Sequence, residues 1–195
     1  MGMTSLRMGR RYGYLRAVLK SEQHRLRALE PSDVATLVSW ENNSDEWWMG
    51  AATAPVSQAS VQQFVEGNQD IYAQRQLRWM LDAQIDGGWT SVGAMDLYDF
   101  DPRQRRAGVA VHIDSLHRRQ GHALAGVALM KAYASRHLHL HQLYAEIPVG
   151  HQGSLALFAQ SDFVEVSHRK QWVLQPNGEW SDVVTAQCIF STPRP

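Results

Sequence analysis

The chain has 195 residues, of which 44% are hydrophobic and 19% are charged, so it is long and apolar enough to fold as one globular domain. Its 19 basic and 19 acidic residues give a formal net charge of zero, which argues against broad binding to nucleic acids or to membranes. The single cysteine, Cys188, excludes an internal disulfide and a multi-thiolate zinc site, and it favours a cytoplasmic location. No uncharged apolar run reaches about 18 residues, so no membrane span is predicted.

The first 23 residues form a basic segment that differs from the rest of the chain. It carries five basic residues against one acid, Glu22, and lacks the apolar core of a secretory signal. Two interpretations stay open: a loose extension, or an arm that covers the active site or binds a partner protein. The predicted organisation is therefore an extension at 1–23, a domain at 24–190 and a short tail at 191–195.

The first part of the domain alternates between helix and strand signals. Pro31 followed by Ser32 and Asp33 is typical of a helix start, and Asp86-Gly87-Gly88 is typical of a hairpin turn. Acids and a proline at 99–102 favour a loop. The expected elements are a strand at 24–29, a helix from 31 to about 42, a helix at 60–68, and strands at 77–85 and 89–97.

The second part continues with strands and helices in alternation and ends in a hairpin at Asn177-Gly178. The expected elements are a strand at 108–113, a helix at 121–136, a strand at 140–149, a helix at 154–161, and strands at 163–174 and 183–190. This order fits neither an all-parallel sheet nor a sandwich. It predicts an α/β fold in which helices cover both faces of a mixed sheet.

The segment from 109 to 130 has the features of a site for an anionic ligand. An apolar strand leads through Arg118, Arg119 and Gly121 into a helix, whose first N–H groups lack partners within the helix. Glycine lets the backbone come close to a ligand. The segment is neither a Walker loop nor a three-glycine dinucleotide turn. An ordinary strand-to-helix connection remains the alternative.

The pattern Arg118-x-x-Gly121-x-Ala123 after a strand resembles the pyrophosphate-binding signature of the GNAT superfamily of N-acetyltransferases. The order of predicted elements fits that fold, and His151-x-x-Ser154 followed by Phe158 resembles the family's next segment. The runs at 25–33, 104–108 and 140–144 are similar to the branch of spermidine/diamine and ribosomal-protein acetyltransferases.

The resemblance implies a sheet in which two neighbouring strands splay apart to admit acetyl-CoA, the co-substrate, with no metal. Backbone groups of Val111, His112 and Ile113 would pair with the pantetheine arm, and His151, Ser154 and Phe158 would line its other side. The pyrophosphate would be held by backbone N–H groups of Arg118, Arg119, Gln120, Gly121, His122, Ala123 and Leu124.

The implied reaction is direct attack of a deprotonated amine on the thioester, with a polyamine-like small amine or a peptide N-terminus as acceptor. The sequence departs from the family pattern in three places. Phe158 stands where a tyrosine usually protonates the leaving thiolate, Asp162 replaces a glycine, and Gly108 replaces a glutamate of the polyamine branch. Another group or water would then protonate the thiolate.

Acidic residues are the candidates for binding the amine. Asp96, Asp99 and Asp101 could form an acidic cluster with Glu41, Asp45 and Glu46, and we take Asp99 and Glu41 as the amine-binding pair. Solvated loop acids and helix caps are the alternative. His112 is a candidate proton relay, although a strand histidine is more often simply packed. His137, His139 and His141 are interpreted as structural.

Two other interpretations remain beside the enzyme. Phe158 would also suit a non-catalytic module that binds acyl-CoA, and the basic segment would suit a protein whose arm docks a partner. A homodimer is expected to be possible, because the C-terminal hairpin leaves a sheet edge that a second copy could cover.

Overall fold

The computed structural model describes residues 19–44, 47 and 54–190. Within them, seven strands form one sheet in the order β1-β2-β3-β4-β5-β7-β6, and every neighbouring pair is antiparallel except β4 and β5. The strands are β1 (His24–Arg27), β2 (Leu77–Ile85), β3 (Gly88–Asp101), β4 (Arg106–Ile113), β5 (Gln142–Pro148), β6 (Val164–Leu174) and β7 (Trp180–Ile189). The helices are α1 (Val34–Glu41), α2 (Gln58–Glu66), α3 (Ile71–Gln74), α4 (His122–Arg136) and α5 (Gln152–Gln160).

The sheet separates two apolar layers. Because side chains alternate between the faces of a strand, Trp79 and Leu81 of β2 enter the main core beside α4, whereas Met80 packs against α1 and α2. The predicted mixed sheet with helices on both faces is confirmed. No helix in the described ranges has the length and apolarity that a bilayer span requires.

Local caps explain where the helices begin. The Ser57 hydroxyl accepts the N–H of Ser60, so α2 begins two residues before the predicted position. The Asp70 carboxylate accepts the N–H of Tyr72 and starts α3, which was not predicted. A four-residue helix is too short to show a helical period in the sequence.

The prediction of a loop at 99–102 was wrong for most of its length. Strand β3 continues to Asp101, which pairs with Arg106 of β4 after a register shift that begins at Tyr98. Asp99 has a φ of 48°, which fits the irregularity there. The side chain of Asp101 then accepts backbone N–H groups of the following turn, so the two acids shape a hairpin. The last strand, β7, begins at Trp180 and not at residue 183.

Contacts with the sheet begin before the predicted domain start at residue 24. The Leu26 N–H donates to the Leu19 carbonyl over 2.8 Å, and the Gln84 N–H donates to the Gln23 carbonyl over 2.8 Å. Residues 1–18 and 191–195 lie outside the described residues, so the basic arm and the C-terminal tail stay predictions.

A buried ion network joins β1, β2 and β3. The Asp82 side chain is 2% exposed and accepts from Arg25, from Arg27 and from the Ser91 hydroxyl at 2.8–2.9 Å. Arg27 also donates to both carboxylate oxygens of Asp33. These hydrogen bonds with Asp33, together with the two carboxylate charges, raise the pKa of Arg27 although burial opposes the shift. The network fixes the start of α1 against the sheet.

Candidate functional site

Strands β4 and β5 part from each other and leave an open wedge. Within the described strands they pair at three positions, from Arg106↔Gln142 to Gly108↔Tyr144. Beyond Gly108, β4 runs on to Ile113 and β5 to Pro148 without pairing to each other. The edge of β4 that faces β5 therefore presents backbone N–H and C=O groups to an incoming extended group. Val111 and Ile113 in this stretch are only partly buried.

The Asp114 carboxylate holds the loop after β4 through two hydrogen bonds. The Asp114 carboxylate accepts the Leu116 N–H over 2.9 Å and the Trp40 indole N–H over 2.8 Å. Burial alone would raise the pKa of Asp114, but these hydrogen bonds lower it below its usual value. Asp114 therefore ties the loop to α1 as a charged acceptor.

Two left-handed residues shape the turn into α4. Arg119 has a φ of 60° and Gly121 a φ of 83°, and His122 begins the helix. Such turns bring successive backbone N–H groups to one side, and the first helical turn adds N–H groups without helical partners. A Cβ at Gly121 would have nothing within 4 Å, so the turn is open to solvent at that point. A pyrophosphate site at this turn stays a prediction, and the exposed N–H groups are the ones it would use.

Two of the predicted loop residues use their side chains to bond nearby backbone carbonyls at the surface. The Arg118 Nε donates to the Ile113 carbonyl over 3.0 Å, and the Gln120 side chain donates to the Leu116 carbonyl. These side-chain bonds do not involve the backbone N–H groups of 118–124, through which the pyrophosphate contacts are predicted.

His122 of the predicted loop faces β1. Its Nδ1 lies 2.9 Å from Nε2 of His24, and burial lowers the pKa of both histidines below the usual value. Neighbouring His24 and His117 lower the pKa of His122 further. Both shifts favour the neutral imidazole, and in a neutral pair one ring donates to the other. Sequence inspection missed His24, because a contact between β1 and α4 has no local signal.

The predicted residues of α5 lie on the other side of the wedge. His151 caps the helix, since its Nδ1 accepts the Ser154 N–H over 2.9 Å. Phe158 is 5% exposed and packs against Phe163 with ring centroids 5.0 Å apart. Its ring belongs to the main core and carries no proton to donate.

The two predicted amine-binding acids do not share a partner. Arg78 holds Glu41 and Asp96 together, and its Nε lies 2.8 Å from Asp96. Burial opposes the charge of Arg78, but Asp96 and Glu41 raise its pKa. Asp99 lies elsewhere, exposed, and accepts from the Tyr144 hydroxyl over 3.3 Å. Asp45 and Glu46 are outside the described residues.

His112 faces α1. Its ring lies 4.9 Å from that of Trp40, on the sheet face that also carries Gly108 and Ala110 of β4. A cleft of about 290 Å³ adjoins it. The residues lining the cleft are Ser39, Trp40, Asn43, His112, Asp114 and Ser115.

A tyrosine cluster at the closed end of the wedge was missed by the sequence interpretation. Tyr98 of β3 lies opposite Gly108, which in turn pairs with Tyr144. The two tyrosine rings are 5.8 Å apart. The alternation of β3 could have placed Tyr98 on the face of Asp96, but its meeting with β5 depends on tertiary structure.

A comparison with protein families decides what this architecture is. The family model for the acetyltransferase (GNAT) domain matches residues 24–164, which is most of the chain. The chain belongs to the GNAT family. It is an acetyl-CoA-dependent N-acetyltransferase, as the resemblance implied. No curated protein sequence gives a significant match.

Solved structures with a similar fold to this acetyltransferase come from the branch that the sequence resembles. Spermidine N-acetyltransferase from Vibrio cholerae, solved with CoA and spermine, is 21% identical with a TM-score of 0.75, and the match covers 87% of this chain and 96% of that one. RimL, a ribosomal L7/L12 alpha-N-protein acetyltransferase solved with CoA, is 22% identical with a TM-score of 0.70 and coverage of 87% and 96%. At these identities the likeness shows a shared fold.

Within the described residues, no group of three or more histidine, cysteine, aspartate or glutamate side chains is placed to hold a metal ion. His137 lies at the C-terminal end of α4 and His139 has a φ of 54°, as expected for residues that end a helix and turn the chain.

Proposed function

We propose that this acetyltransferase transfers the acetyl group of acetyl-CoA to a primary amine of a polyamine-like small molecule or a peptide N-terminus, in a cytoplasmic setting. The observation that carries the proposal is the wedge beyond Gly108↔Tyr144, which opens beside the left-handed turn at Arg119 and Gly121. An extended pantetheine arm fits the free edge of β4, and the turn suits its pyrophosphate.

We assign each step of the proposed reaction to this wedge. The neutral amine attacks the thioester carbonyl, a C–N bond forms, the C–S bond breaks, and sulfur leaves as a thiolate. A backbone N–H on the free edge of β4 would polarise the carbonyl. His112 lies on the sheet face that is turned to α1, beside a cleft, and is the proposed relay for the proton that nitrogen loses.

Acidic groups on the same face support a cationic amine as the acceptor. Asp99 is exposed, and Glu146 of β5 lies just beyond the last β4–β5 pair, although it is ion-paired with Arg169. Glu41 is committed to Arg78, so we assign amine binding to Asp99 and regard Glu41 as its weaker companion.

Acetyl-CoA binding and turnover test this function. Acetyl-CoA at about 100 times its Kd adds roughly 2.7 kcal/mol to the free energy of unfolding, which raises Tm by about 5–10 °C. Thiol release is then measured with spermidine, spermine and a peptide with a free N-terminus. No Tm shift at millimolar acetyl-CoA would overturn the proposal. Binding without thiol release from any amine would favour the non-catalytic acyl-CoA module.

Gly121→Ala tests the phosphate-binding turn and has a matched control. Alanine at a φ of 83° costs about 1–2 kcal/mol and favours a turn whose N–H groups no longer converge. We expect a Kd for acetyl-CoA about tenfold higher. Gly178, in the β6–β7 turn, has the same φ and equally open surroundings. Gly178→Ala should therefore cost similar stability and leave the Kd unchanged, and equal Kd values in the two variants would contradict the assignment.

We also propose that a second copy of the chain covers the edge strand β6. Apolar side chains of β6 and of the adjoining part of β7 are more than half exposed: Val164, Val166, Trp172, Leu174, Trp180 and Ile189. One solved neighbour, the spermidine N-acetyltransferase of Vibrio cholerae, is described as dodecameric. Light scattering should give at least a dimer, and Val166→Lys should shift it to monomer while Gln171→Lys does not. A monomeric wild-type chain at high micromolar concentration would refute this interface.

A further inference from the structure

The residue that protonates the departing thiolate has to be sought outside α5. Phe158 carries no ionisable group and is buried against Phe163. A replacement must be a protonated group whose donor atom reaches the wedge between β4 and β5, where the thioester would react.

The ring of Tyr98 crosses β4 at the end of this wedge. A Cβ built on Gly108 would lie 2.3 Å from Cζ of Tyr98 and 2.4 Å from its Cε2. Cζ carries the hydroxyl, so the hydroxyl end of the ring lies over Gly108, the last β4 residue that pairs with β5. A residue with any side chain at 108 would displace the ring. The departure from the polyamine branch at Gly108 therefore leaves the space that the ring of Tyr98 occupies.

The surroundings of Tyr98 keep its hydroxyl protonated. Burial raises the pKa of Tyr98, and the nearby hydroxyl of Tyr144 and the carboxylates of Glu146 and Asp99 raise it further, while Arg169 opposes them. Glu146 belongs to the part of β5 that diverges from β4, so one of the charges that raise the pKa of Tyr98 lies in the wedge. Tyr144 is a weaker candidate, because its hydroxyl already donates to Asp99.

We propose that the Tyr98 hydroxyl donates the proton that converts the departing CoA thiolate to the thiol. This inference rests on the proposed acetyl transfer. The C–S electron pair leaves with sulfur, and the phenol proton moves from Oη to sulfur. The proton that the acylated nitrogen loses then passes through His112, the proposed relay, and water to the phenolate. The sum is acetyl-CoA plus amine giving acetylamide plus CoA, with Tyr98 restored.

Tyr98→Phe in the full chain is the test, with spermidine, spermine and the peptide as acceptors. We expect kcat to fall about 100-fold, the scale of general-acid catalysis, while the Kd for acetyl-CoA stays within twofold. Tyr144→Phe, which removes a hydroxyl from the same cluster, should lower kcat by less than fivefold. Phe158→Tyr added to Tyr98→Phe should restore kcat at least tenfold, since it returns a phenol to the family position.

A binding measurement gives a second readout that needs no turnover. If the Tyr98 hydroxyl bonds the sulfur, calorimetry should show wild-type chain binding CoA at least threefold more tightly than desulfo-CoA, and Tyr98→Phe should abolish that preference. Unchanged kcat together with an unchanged preference would overturn the inference and leave the proposed function intact. Failure of wild-type chain to bind acetyl-CoA would overturn the proposed function and this inference with it.

Discussion

Replacing Gly93 with alanine should lower the free energy of unfolding by about 3 kcal/mol and weaken acetyl-CoA binding at least tenfold. A Cβ at residue 93 would lie 2.2 Å from the His112 carbonyl oxygen and 2.9 Å from Cδ1 of Ile113. The nearer atom is backbone of the neighbouring strand, so β3 and β4 have to move apart. The part of β4 that moves, around His112, also carries the free edge that faces β5 across the wedge. Urea unfolding and calorimetric titration with acetyl-CoA would measure the two effects.

Gly88→Ala is the matched control for this variant. Gly88 lies on the same strand, and a Cβ there would meet its nearest neighbour, the Ile85 carbonyl oxygen, at 3.8 Å, an ordinary contact. We expect the free energy of unfolding to change by less than about 0.5 kcal/mol and acetyl-CoA binding to stay the same. Equal losses in both variants would show that the close approach at Gly93 has no special role.

Asp82→Asn is expected to reduce the free energy of unfolding by about 3 kcal/mol, at the lower end for a broken buried ion pair. The substitution keeps the shape of the side chain but leaves Arg25 and Arg27 without the buried negative charge between them. The arginine side chains are 34% and 25% exposed, and water therefore offsets part of the loss. Thermal unfolding should show a Tm lower by about 6–12 °C.

Asp162→Asn provides the comparison at an exposed ion pair. The Asp162 side chain is 87% exposed and lies 3.0 Å from the Lys131 amine. Its φ of 63° is well tolerated by asparagine. The expected change in unfolding free energy is below about 1 kcal/mol, because water screens such pairs. A loss as large as that of Asp82→Asn would contradict the view that burial sets the cost.

Secondary structure was predictable where the signals are local. The strand predicted at 77–85 coincides with β2, and Asp86-Gly87 marked the first hairpin, where both residues adopt positive φ. The loop predicted at 99–102 failed because pairing of Asp101 with Arg106 outweighed the weak strand preference of aspartate. Strand pairing adds hydrogen bonds and side-chain packing, and the strand preferences of single residues do not include these contributions.

The candidate site, too, was predictable only where its signals are local. The turn at Arg119 and Gly121 lies within a short run of sequence, so its glycine and flanking strand and helix identified it. The prediction of Glu41 as an amine ligand could not take account of its ion pair with Arg78, because Arg78 lies on a distant strand. The role of a charged residue depends on partners that local sequence does not contain.

By itself, the sequence determined most of the element order, the hairpin turns, the glycine turn before α4 and, through them, the family. These features depend on backbone preferences and hydrophobic periods over a few neighbouring residues. Tertiary structure alone decided where β4 and β5 part and which side chains meet there. Tyr98, Gly108 and Tyr144 belong to three strands, and their meeting depends on the register of each strand against the next. A shift of one residue in either register would turn these side chains to the opposite face of the sheet.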